Sequence, residues 1–351
     1  MAIDLLALSD NEIASLVAEL GFPAYRAKQL RQWIAKGTPI EQMSNLPKAL
    51  RDALHERGCS LPIPHIMQKY VSQVDGTVKY LFSLADGQLI ESVVMRYEHG
   101  LTICVSCQAG CRMGCRFCAS TLRGWERNLS ATEILGQVLA AQNDIGERIS
   151  NIVMMGIGEP LDNYEEVIRF LHLVNAEDGL NIGYRHISLS TCGLVDGIRR
   201  LAKEGFPITL SISLHNIDTE ERKALMPITN KWSVEELLAA CRDYFAETGR
   251  RISFEYTLIA GENDSPDKAV RLANGLKKHL GRMPIHVNLI PLNPVSERRY
   301  RKSGTDTVAA FQKALIAHGI NATVRRKLGP DINASCGQLR YNGTTDATDA
   351  S

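Results

Sequence analysis

Apolar side chains in the first part of the chain recur every three to four positions, which is the spacing of one helix face. Between residues 9 and 21, Ser9 and a glutamate three positions later form a capping box, apolar residues follow at helical spacing, and Gly21 ends the pattern. Similar patterns run from about residue 24 to 36 and onward from Pro47. The N-terminal region is therefore predicted to be a small helical unit.

The hydrophobic period changes from about residue 66 onward and becomes typical of β-strands. Four segments alternate apolar with polar residues or carry runs of β-branched residues, and Asp-Gly or His-Gly pairs separate them. The segments are KYVSQV, TVKYLFSL, QLIESVVMRY and LTICVS. This pattern predicts an antiparallel meander.

Apolar strands alternate with helices over the remainder of the chain. The strand segments are NIVMMG (151–156), HISLST (186–191), ITLSIS (208–213), ISFEYTLI (252–259), IHVNLI (285–290) and ATVRR (322–326). The helices between them carry their own capping boxes, including Ser130 with Glu133 and Ser233 with Glu236. Such alternation predicts a parallel sheet, either open or curled into a barrel. The final segment, YNGTTDATDAS, is predicted to be disordered.

Composition and charge matter mainly for what they exclude. The chain is 44% hydrophobic and 23% charged, a composition that excludes a fibrous or disordered chain. Its 351 residues are enough for about two domains. A net charge of +1 gives no global electrostatic argument for a nucleic-acid or membrane partner. The N-terminus lacks the features of a secretory signal and no apolar run approaches about 18 residues. We therefore expect a cytoplasmic protein with no membrane association.

Five of the nine cysteines crowd between Cys104 and Cys118, which is unlike a disulfide framework and favours reduced thiols. Three of them, Cys111, Cys115 and Cys118, have the spacing C-x3-C-x2-C on one loop. Thiolates are preferred ligands of iron-sulfur clusters and of zinc. Three ligands would leave one iron of a four-iron cluster open to a substrate. Cys107 could instead complete a closed zinc site with four thiolates, and this alternative stays open.

The spacing of these cysteines, with Phe117 just before the last, resembles that of the radical S-adenosylmethionine (SAM) enzymes. Other motifs resemble this superfamily and follow the ends of successive predicted strands. The resemblance implies that the SAM contacts are Gly158, Glu159, Ser190, Ser213, Leu214, His215 and Asn293. Each residue alone has an ordinary structural explanation, such as a turn, a cap or a satisfied histidine. Together they are expected to line one rim of a barrel beside the cysteine loop.

From about residue 5 to Leu339, the motifs occur in the order found in RlmN-type RNA methyltransferases. They are GCRMGCRFCASTLRGWERNL, MMGIGEPLDNY, RHISLSTCGL, LSISLH, NLIPLNP and DINASCGQL. The resemblance implies a [4Fe-4S] cluster and SAM as cofactors, and an external electron donor such as flavodoxin. It also implies methylation of C2 in adenosine 2503 of 23S rRNA and in adenosine 37 of tRNAs. Cfr-type relatives methylate C8 of the same rRNA adenosine, which remains the alternative.

C2 of adenine is electron-poor and has no nucleophilic lone pair, so its methylation requires a radical route. The resemblance implies that one SAM methylates Cys336, and that a second SAM activates this methyl group for addition to C2. It assigns Glu91 as the proton acceptor and Cys104 as the resolving thiol, which forms a disulfide with Cys336. Without the resemblance, Cys104 would be interpreted as a buried strand thiol and Glu91 as a solvated strand residue.

Local clusters of basic residues support an RNA partner. They flank the segments of Asn293 and Cys336 or surround the cysteine loop: Arg298, Arg299, Arg301, Lys302, Arg325, Arg326 and Lys327, and Arg112, Arg116, Arg123 and Arg127. A charged run is more often a solvated face. The alternative outside the enzymes is a non-catalytic RNA-binding module with a closed zinc site.

The expected fold class is α/β, with a partial (β/α)6 barrel of the radical SAM type. We expect a helical accessory domain at 1–62, an antiparallel β extension at 63–100 and the barrel at 101–328. A C-terminal segment at 329–351 would contain Cys336 and the disordered tail. The accessory domain resembles one implicated in RNA engagement.

Overall fold

The N-terminal region folds as the helical unit that the apolar spacing predicts. In the computed structural model, which describes residues 3–340, this unit contains α1 (Asp10–Glu19), α2 (Tyr25–Ala35) and α3 (Lys48–Glu56), with the short parallel strands β1 (Ile3–Asp4) and β2 (Cys59–Ser60). The Ser9 hydroxyl accepts from the Glu12 N–H and the Glu12 carboxylate accepts from the Ser9 N–H, which confirms the capping box. The segment YNGTTDATDAS lies outside the described residues.

One ten-stranded sheet forms the centre of the molecule. The strands after the N-terminal unit are β3 (His65–Val71), β4 (Val78–Ser83), β5 (Leu89–Tyr97), β6 (Gly100–Cys104), β7 (Gln108–Gly110), β8 (Trp125–Asn128), β9 (Ile149–Met154), β10 (Ile187–Thr191), β11 (Thr209–Ser213), β12 (Ile252–Leu258), β13 (Ile285–Pro291) and β14 (Asn321–Val324). The order across the large sheet is β14-β13-β12-β11-β10-β9-β6-β5-β4-β3. β7 and β8 pair separately as an antiparallel ribbon that flanks the cysteine loop.

The predicted antiparallel meander is confirmed as β3 to β6. Each of these strands is antiparallel to the next, and β6 is also parallel to β9. The last strand of the meander is therefore the first strand of the parallel part. This shared strand joins the extension to the barrel without a break in hydrogen bonding.

Helices follow the parallel strands in a regular alternation. They are α4 (Ala131–Ile145), α5 (Tyr164–Asn175), α6 (Val195–Glu204), α7 (Thr219–Leu225), α8 (Val234–Thr248), α9 (Pro266–Leu280) and α10 (Thr305–Ala317). Ser130 and Ser233 cap α4 and α8 with the predicted capping boxes. Six strand-helix units beginning with β6 are followed by β14, as expected for a (β/α)6 arrangement.

The parallel sheet is curled rather than flat. β9 and β14 are five strand positions apart, and strands spaced by about 4.8 Å would separate them by roughly 24 Å in a flat sheet. The Arg325 guanidinium, just after β14, nevertheless lies 3.3 Å from the Met155 sulfur, just after β9. The sheet therefore bends into a partial barrel.

The N-terminal unit packs on α4. The Asn143 side chain donates to the Lys36 carbonyl oxygen at 2.8 Å. Gly136 allows the following linker to approach, since a Cβ atom there would lie 2.5 Å from the Pro62 carbonyl oxygen. None of the helices in residues 3–340 has the length and apolar character needed to cross a membrane.

Candidate active site

Three closely spaced cysteines on the loop between β7 and β8 line one cavity, which we call the cysteine cavity: Cys111, Cys115 and Cys118. The ends of the loop are held together because the Cys111 N–H donates to the Gly124 carbonyl oxygen at 2.8 Å. Gly110 has φ +77°, and a Cβ atom there would lie 2.1 Å from the same oxygen. The loop that presents the thiols therefore requires glycine at this position.

Cys107 is buried and does not line the cysteine cavity. Its N–H donates to the Ile157 carbonyl oxygen at 2.9 Å, and its own carbonyl oxygen accepts from the Asn163 side chain at 2.8 Å. Within residues 3–340, no three His, Cys, Asp or Glu side chains converge closely enough to enclose a single metal ion. A four-iron cluster has ligands on separate irons, which need not converge on one point. The arrangement favours a cluster with three protein ligands over a four-thiolate zinc site.

The predicted SAM contacts come from the carboxyl ends of successive strands. Six of the seven line the cysteine cavity: Gly158, Glu159, Ser190, Ser213, His215 and Asn293. Leu214 does not line it, because its side chain is fully buried in the core. The structure thus brings the cysteine loop and the polar strand ends to one place, although they are far apart in sequence.

The turn after β9 is built so that backbone and carboxylate both reach the cavity. Gly158 has φ +107°, and a Cβ atom there would lie 2.7 Å from the Gln108 side chain, so only glycine fits. The buried Glu159 carboxylate accepts the N–H groups of Leu161 at 3.1 Å and Cys192 at 2.7 Å. Burial raises the pKa of Glu159, and these hydrogen bonds oppose that shift.

His215 is held in a single orientation at the end of β11. Its backbone has φ 55°, in the left-handed region, and its Nδ1 accepts the Thr257 N–H at 2.9 Å. Burial lowers the pKa of His215 to about 3, and Arg222 acts in the same direction. The imidazole is therefore neutral, and because Nδ1 is an acceptor the proton is assigned to Nε2. Nε2 is left as a hydrogen-bond donor.

A second cavity, which we call the thiol cavity, adjoins the cysteine cavity and contains Cys104. Cys336 lines both cavities, and the Asn293 side chain donates to the Cys336 carbonyl oxygen at 3.1 Å. Burial raises the pKa of Cys104 to about 12, and the neighbouring Cys336 acts in the same direction. All nine cysteines are free thiols. Cys336 therefore lies at the boundary between the two cavities.

Glu91 is buried, with 4% of its surface exposed, so the interpretation as a solvated strand residue, which the sequence favours without the resemblance, is wrong. The Lys79 ammonium lies 3.1 Å from one carboxylate oxygen, and the Arg340 N–H donates to the other at 2.8 Å. Glu91 does not line the thiol cavity, but Val93 on the same face of β5 does. The structure places Glu91 next to this cavity, under the C-terminal residues.

The C-terminal segment that contains Cys336 is attached at several points, two of which lie far apart. The Asp331 carboxylate accepts from the Ser72 hydroxyl at 2.7 Å, in the turn between β3 and β4. At the other side, the Ala119 N–H donates to the Gly337 carbonyl oxygen at 2.8 Å, next to the cysteine loop. These contacts stretch the segment across the mouth of the barrel and position Cys336.

Several basic residues predicted near RNA are bound by other side chains of the protein, although the Arg112 side chain is still 51% exposed. Arg112 binds Asp162 at 2.6 Å, Arg127 binds Glu133 at 2.8 Å, and Arg298 donates to the Thr121 hydroxyl at 2.8 Å. The ion pairs of Arg112 and Arg127 within the protein are contacts that a run of charges in the sequence does not reveal. The basic residues that line the thiol cavity are Lys302, Arg325, Arg326 and Lys327.

Comparisons with known proteins agree with this architecture. Residues 105–273 match the family model described as "Radical SAM superfamily", and residues 3–59 match "Ribosomal RNA large subunit methyltransferase N-terminal domain". The fold and the cysteine cavity are those of a radical SAM enzyme.

Curated relatives and a solved structure narrow the class. A "Probable dual-specificity RNA methyltransferase RlmN" from Clostridium novyi is 53% identical over 320 residues, which cover 91% of this chain and 92% of the relative. One from Clostridium tetani is 52% identical and covers 96% of each chain. A crystal structure of a radical SAM methyltransferase from Sphaerobacter thermophilus has a TM-score of 0.89 and 42% identity, with 96% of this chain and 99% of that chain covered. The chain therefore belongs to the RlmN family.

Membership in the radical SAM superfamily implies a [4Fe-4S] cluster and SAM as cofactors. The residues present fit both groups. Three thiols, which are soft ligands, line the cysteine cavity. Polar residues at the strand ends and Gly158 line the same cavity.

Two buried charged residues near the cysteine cavity were not predicted from the sequence. Glu255 lines the cavity from β12 and accepts from the Asn288 side chain at 2.7 Å. A glutamate inside the apolar segment ISFEYTLI was a signal that could have identified it. Arg222 lies in α7, where a charged helix residue gives no such signal.

The buried neutral state of His215 predicts a pH dependence of stability. The folded pKa of about 3 is below the unfolded value of 6.5, so the stabilisation is complete above pH 6.5 and is lost as the pH falls towards 3. At pH 5 the loss is expected to be about 2 kcal/mol.

The variant His215→Asn tests this expectation. Asparagine retains an acceptor and tolerates positive φ, so His215→Asn should lose less stability between pH 7 and pH 5 than the wild type in urea unfolding. The control His65→Asn changes an exposed histidine and should follow the wild type; equal losses in all three proteins would contradict the assignment.

Proposed function

We propose that this chain methylates C2 of adenosine 2503 in 23S rRNA and of adenosine 37 in tRNAs, through a methylated Cys336. The observation that carries the proposal is the position of Cys336 in the walls of both cavities. A carrier of a methyl group must meet its donor on one side and its acceptor on the other. The relatives from Clostridium novyi and Clostridium tetani are named as probable dual-specificity RNA methyltransferases, which supports the substrate class.

In this proposal Cys111, Cys115 and Cys118 hold the cluster, and the remaining cavity residues hold SAM. When bound, the cluster and SAM supply the methyl group and the one-electron chemistry that an electron-poor carbon requires. The Glu159 carboxylate accepts from the amino group of SAM, and His215 donates from Nε2. The other contacts are Gly158, Ser190, Ser213, Leu214 and Asn293. Leu214 is assigned by the resemblance alone, since its side chain is fully buried and its backbone groups bind Glu255 and Arg222.

Cys336 carries the methyl group between the two cavities. Rotation about its Cα–Cβ bond would move the sulfur from the cysteine cavity to the thiol cavity. Asn293 holds the backbone of Cys336 during this change, because its side chain donates to the Cys336 carbonyl oxygen. The Cys104 thiol then loses its proton and its sulfur attacks the Cys336 sulfur. An S–S bond forms while the S–C bond to the base breaks, and the carbon keeps that electron pair and takes up a proton, which gives the methylated base and leaves a disulfide. Burial keeps Cys104 protonated until this stage.

Glu91 accepts the proton from C2 in this scheme. Lys79 and the Arg340 N–H each contact one oxygen of its carboxylate. Because the backbone of Arg340 covers Glu91, an adenine base must displace this part of the C-terminal segment to reach the carboxylate. Binding of RNA and exposure of the proton acceptor are thereby coupled.

Three cations at the thiol cavity, Lys302, Arg326 and Lys327, are positioned to bind phosphates of the RNA. We assign 1–62 to RNA engagement, 63–100 to the β extension, 101–328 to the radical SAM barrel and 329–351 to the carrier segment. The match of residues 3–59 to an N-terminal domain of rRNA methyltransferases supports the first assignment. An external one-electron donor such as flavodoxin, and a cytoplasmic location, complete the proposal.

The position of the methyl group tests the proposed function directly. Mass spectrometry of 23S rRNA and tRNA should find 2-methyladenosine in cells with the gene and none in a deletion strain. The modification should return when the wild-type gene is restored. Appearance of 8-methyladenosine would assign the chain to C8 methylation instead, and unchanged RNA would contradict both activities.

Iron content tests the assignment of the cluster ligands. Cys118→Ala should lose most of the about four irons per chain that a [4Fe-4S] cluster contributes, together with methylation, because two thiolates do not retain the cluster. Cys107→Ala is the matched control, since Cys107 is buried outside the cysteine cavity. It should keep the iron after anaerobic purification. Equal loss of iron in both variants, or stoichiometric zinc in the wild type, would favour the four-thiolate site.

Trapping of a covalent intermediate tests the roles of Cys104 and Cys336. Cys104→Ala removes the resolving thiol, so the protein should purify with RNA attached to Cys336, detected by mass spectrometry after nuclease digestion. Cys336→Ala and the double variant should keep the cluster but carry neither RNA nor a methylated cysteine. The control variant Cys241→Ala changes a buried thiol of α8. It should methylate RNA without accumulating a covalent adduct. Clean turnover by Cys104→Ala would remove Cys104 from the reaction.

A further inference from the structure

An arginine is buried behind the cysteine cavity without a carboxylate beside it. Arg222, in α7, has 1% of its surface exposed. Its guanidinium makes four hydrogen bonds, and every acceptor is a carbonyl or hydroxyl oxygen. Among the described residues, no carboxylate lies within ion-pair distance of it. A buried charge of this kind is unfavourable unless a charge of opposite sign is close by.

The four acceptors come from three separate segments. Arg222 Nε donates to the Leu214 carbonyl oxygen at 2.9 Å, and Nη1 donates to the Thr229 hydroxyl at 2.7 Å. Nη2 donates to the carbonyl oxygens of Cys192 at 2.6 Å and Ser213 at 3.0 Å. The guanidinium thus holds the ends of β10 and β11, which provide much of the proposed SAM site.

The same helix is attached to the cysteine loop. The Arg116 N–H donates to the Leu225 carbonyl oxygen at 2.9 Å. Cys115 packs against a small buried cluster that contains Cys192 and Leu225. Burial lowers the pKa of Arg222, and the nearby thiols of Cys192 and Cys115 act in the opposite direction. Arg222 is therefore close to one of the proposed cluster ligands.

A second buried group, the Glu159 carboxylate, binds the backbone of Cys192, which Arg222 also binds. It accepts the Cys192 N–H at 2.7 Å, whereas Arg222 binds the Cys192 carbonyl oxygen. The two charged groups are bridged by this backbone and are not an ion pair. Glu159 therefore does not replace the missing partner of Arg222.

We propose that Arg222 is a positioning residue whose charge balances the thiolate-bound cluster and raises its reduction potential. This inference rests on the proposed ligation by Cys111, Cys115 and Cys118. Three thiolates give the occupied site a net negative charge, and each added electron increases that charge. A fixed positive charge in a buried, low-dielectric location favours the more negative, reduced state. The missing carboxylate is explained because the cluster provides the opposite charge.

Reduction potential separates this role from that of a structural clamp. Arg222→Gln retains donors but removes the charge, and the equilibrium constant for one-electron reduction of the cluster should fall about tenfold, or ~59 mV. Arg222→Lys keeps the charge but loses the planar fork, so its potential should remain close to the wild type while SAM binding weakens. Arg199→Gln is the control, because it removes an exposed arginine that pairs with Asp243. The potentials are measured by redox titration with electron paramagnetic resonance on reconstituted, iron-quantified protein.

A loaded Arg222→Gln protein with the wild-type potential would overturn the proposal. If Arg222→Gln does not fold, the reduction potential of the cluster in Arg222→Lys tests the proposal. A potential equal to that of the wild type supports the role of the charge, and a lowered potential contradicts it. Failure of both variants to fold would assign Arg222 to the fold alone and also overturn the proposal. A wild-type protein that binds no cluster would contradict the proposed ligands instead, so the two failures are distinguishable.

Discussion

The curvature of the parallel sheet is the constraint on which the candidate site depends. Parallel strands present their carboxyl ends at one edge, but a flat edge would leave the two ends of the barrel far apart. Contact between Met155 and Arg325 shows that the edge is curled. As a result, polar groups at or just after the carboxyl ends of β9, β10, β11 and β13 surround one cavity, which the cysteine loop after β7 also lines.

Burial gives this cavity its chemical character. His215 is kept neutral with a defined donor, and the pKa values of Glu159 and Glu255 are raised by burial while hydrogen bonds and Arg325 oppose the shift. Such groups do not need to reorient when a ligand binds, and their interactions are stronger than in water. The surrounding protein therefore determines the charge and orientation of each polar group before a cofactor arrives.

The C-terminal segment completes the site and is attached by both polar and apolar contacts. Polar contacts at Asp331 and Gly337 attach it to the β3–β4 turn and to the cysteine loop. The Arg340 N–H also covers Glu91. Ala334 and Leu339 also pack into the main hydrophobic core, so release of the whole segment would expose apolar side chains. Under the proposed function, an RNA base that reaches Glu91 has to displace the backbone at Arg340.

The sequence by itself determined the local elements and the cysteine motif. Helical spacing, strand alternation and the capping boxes at Ser9, Ser130 and Ser233 depend on residues a few positions apart, so the printed order of residues contains them. Only the tertiary structure decided that Cys107 lies outside the cysteine cavity, that Glu91 is buried, and that Arg222 lacks a carboxylate. These facts depend on which distant segments meet when the sheet curls. Local periodicity specifies which face of an element is apolar, but it does not specify the partner that covers that face.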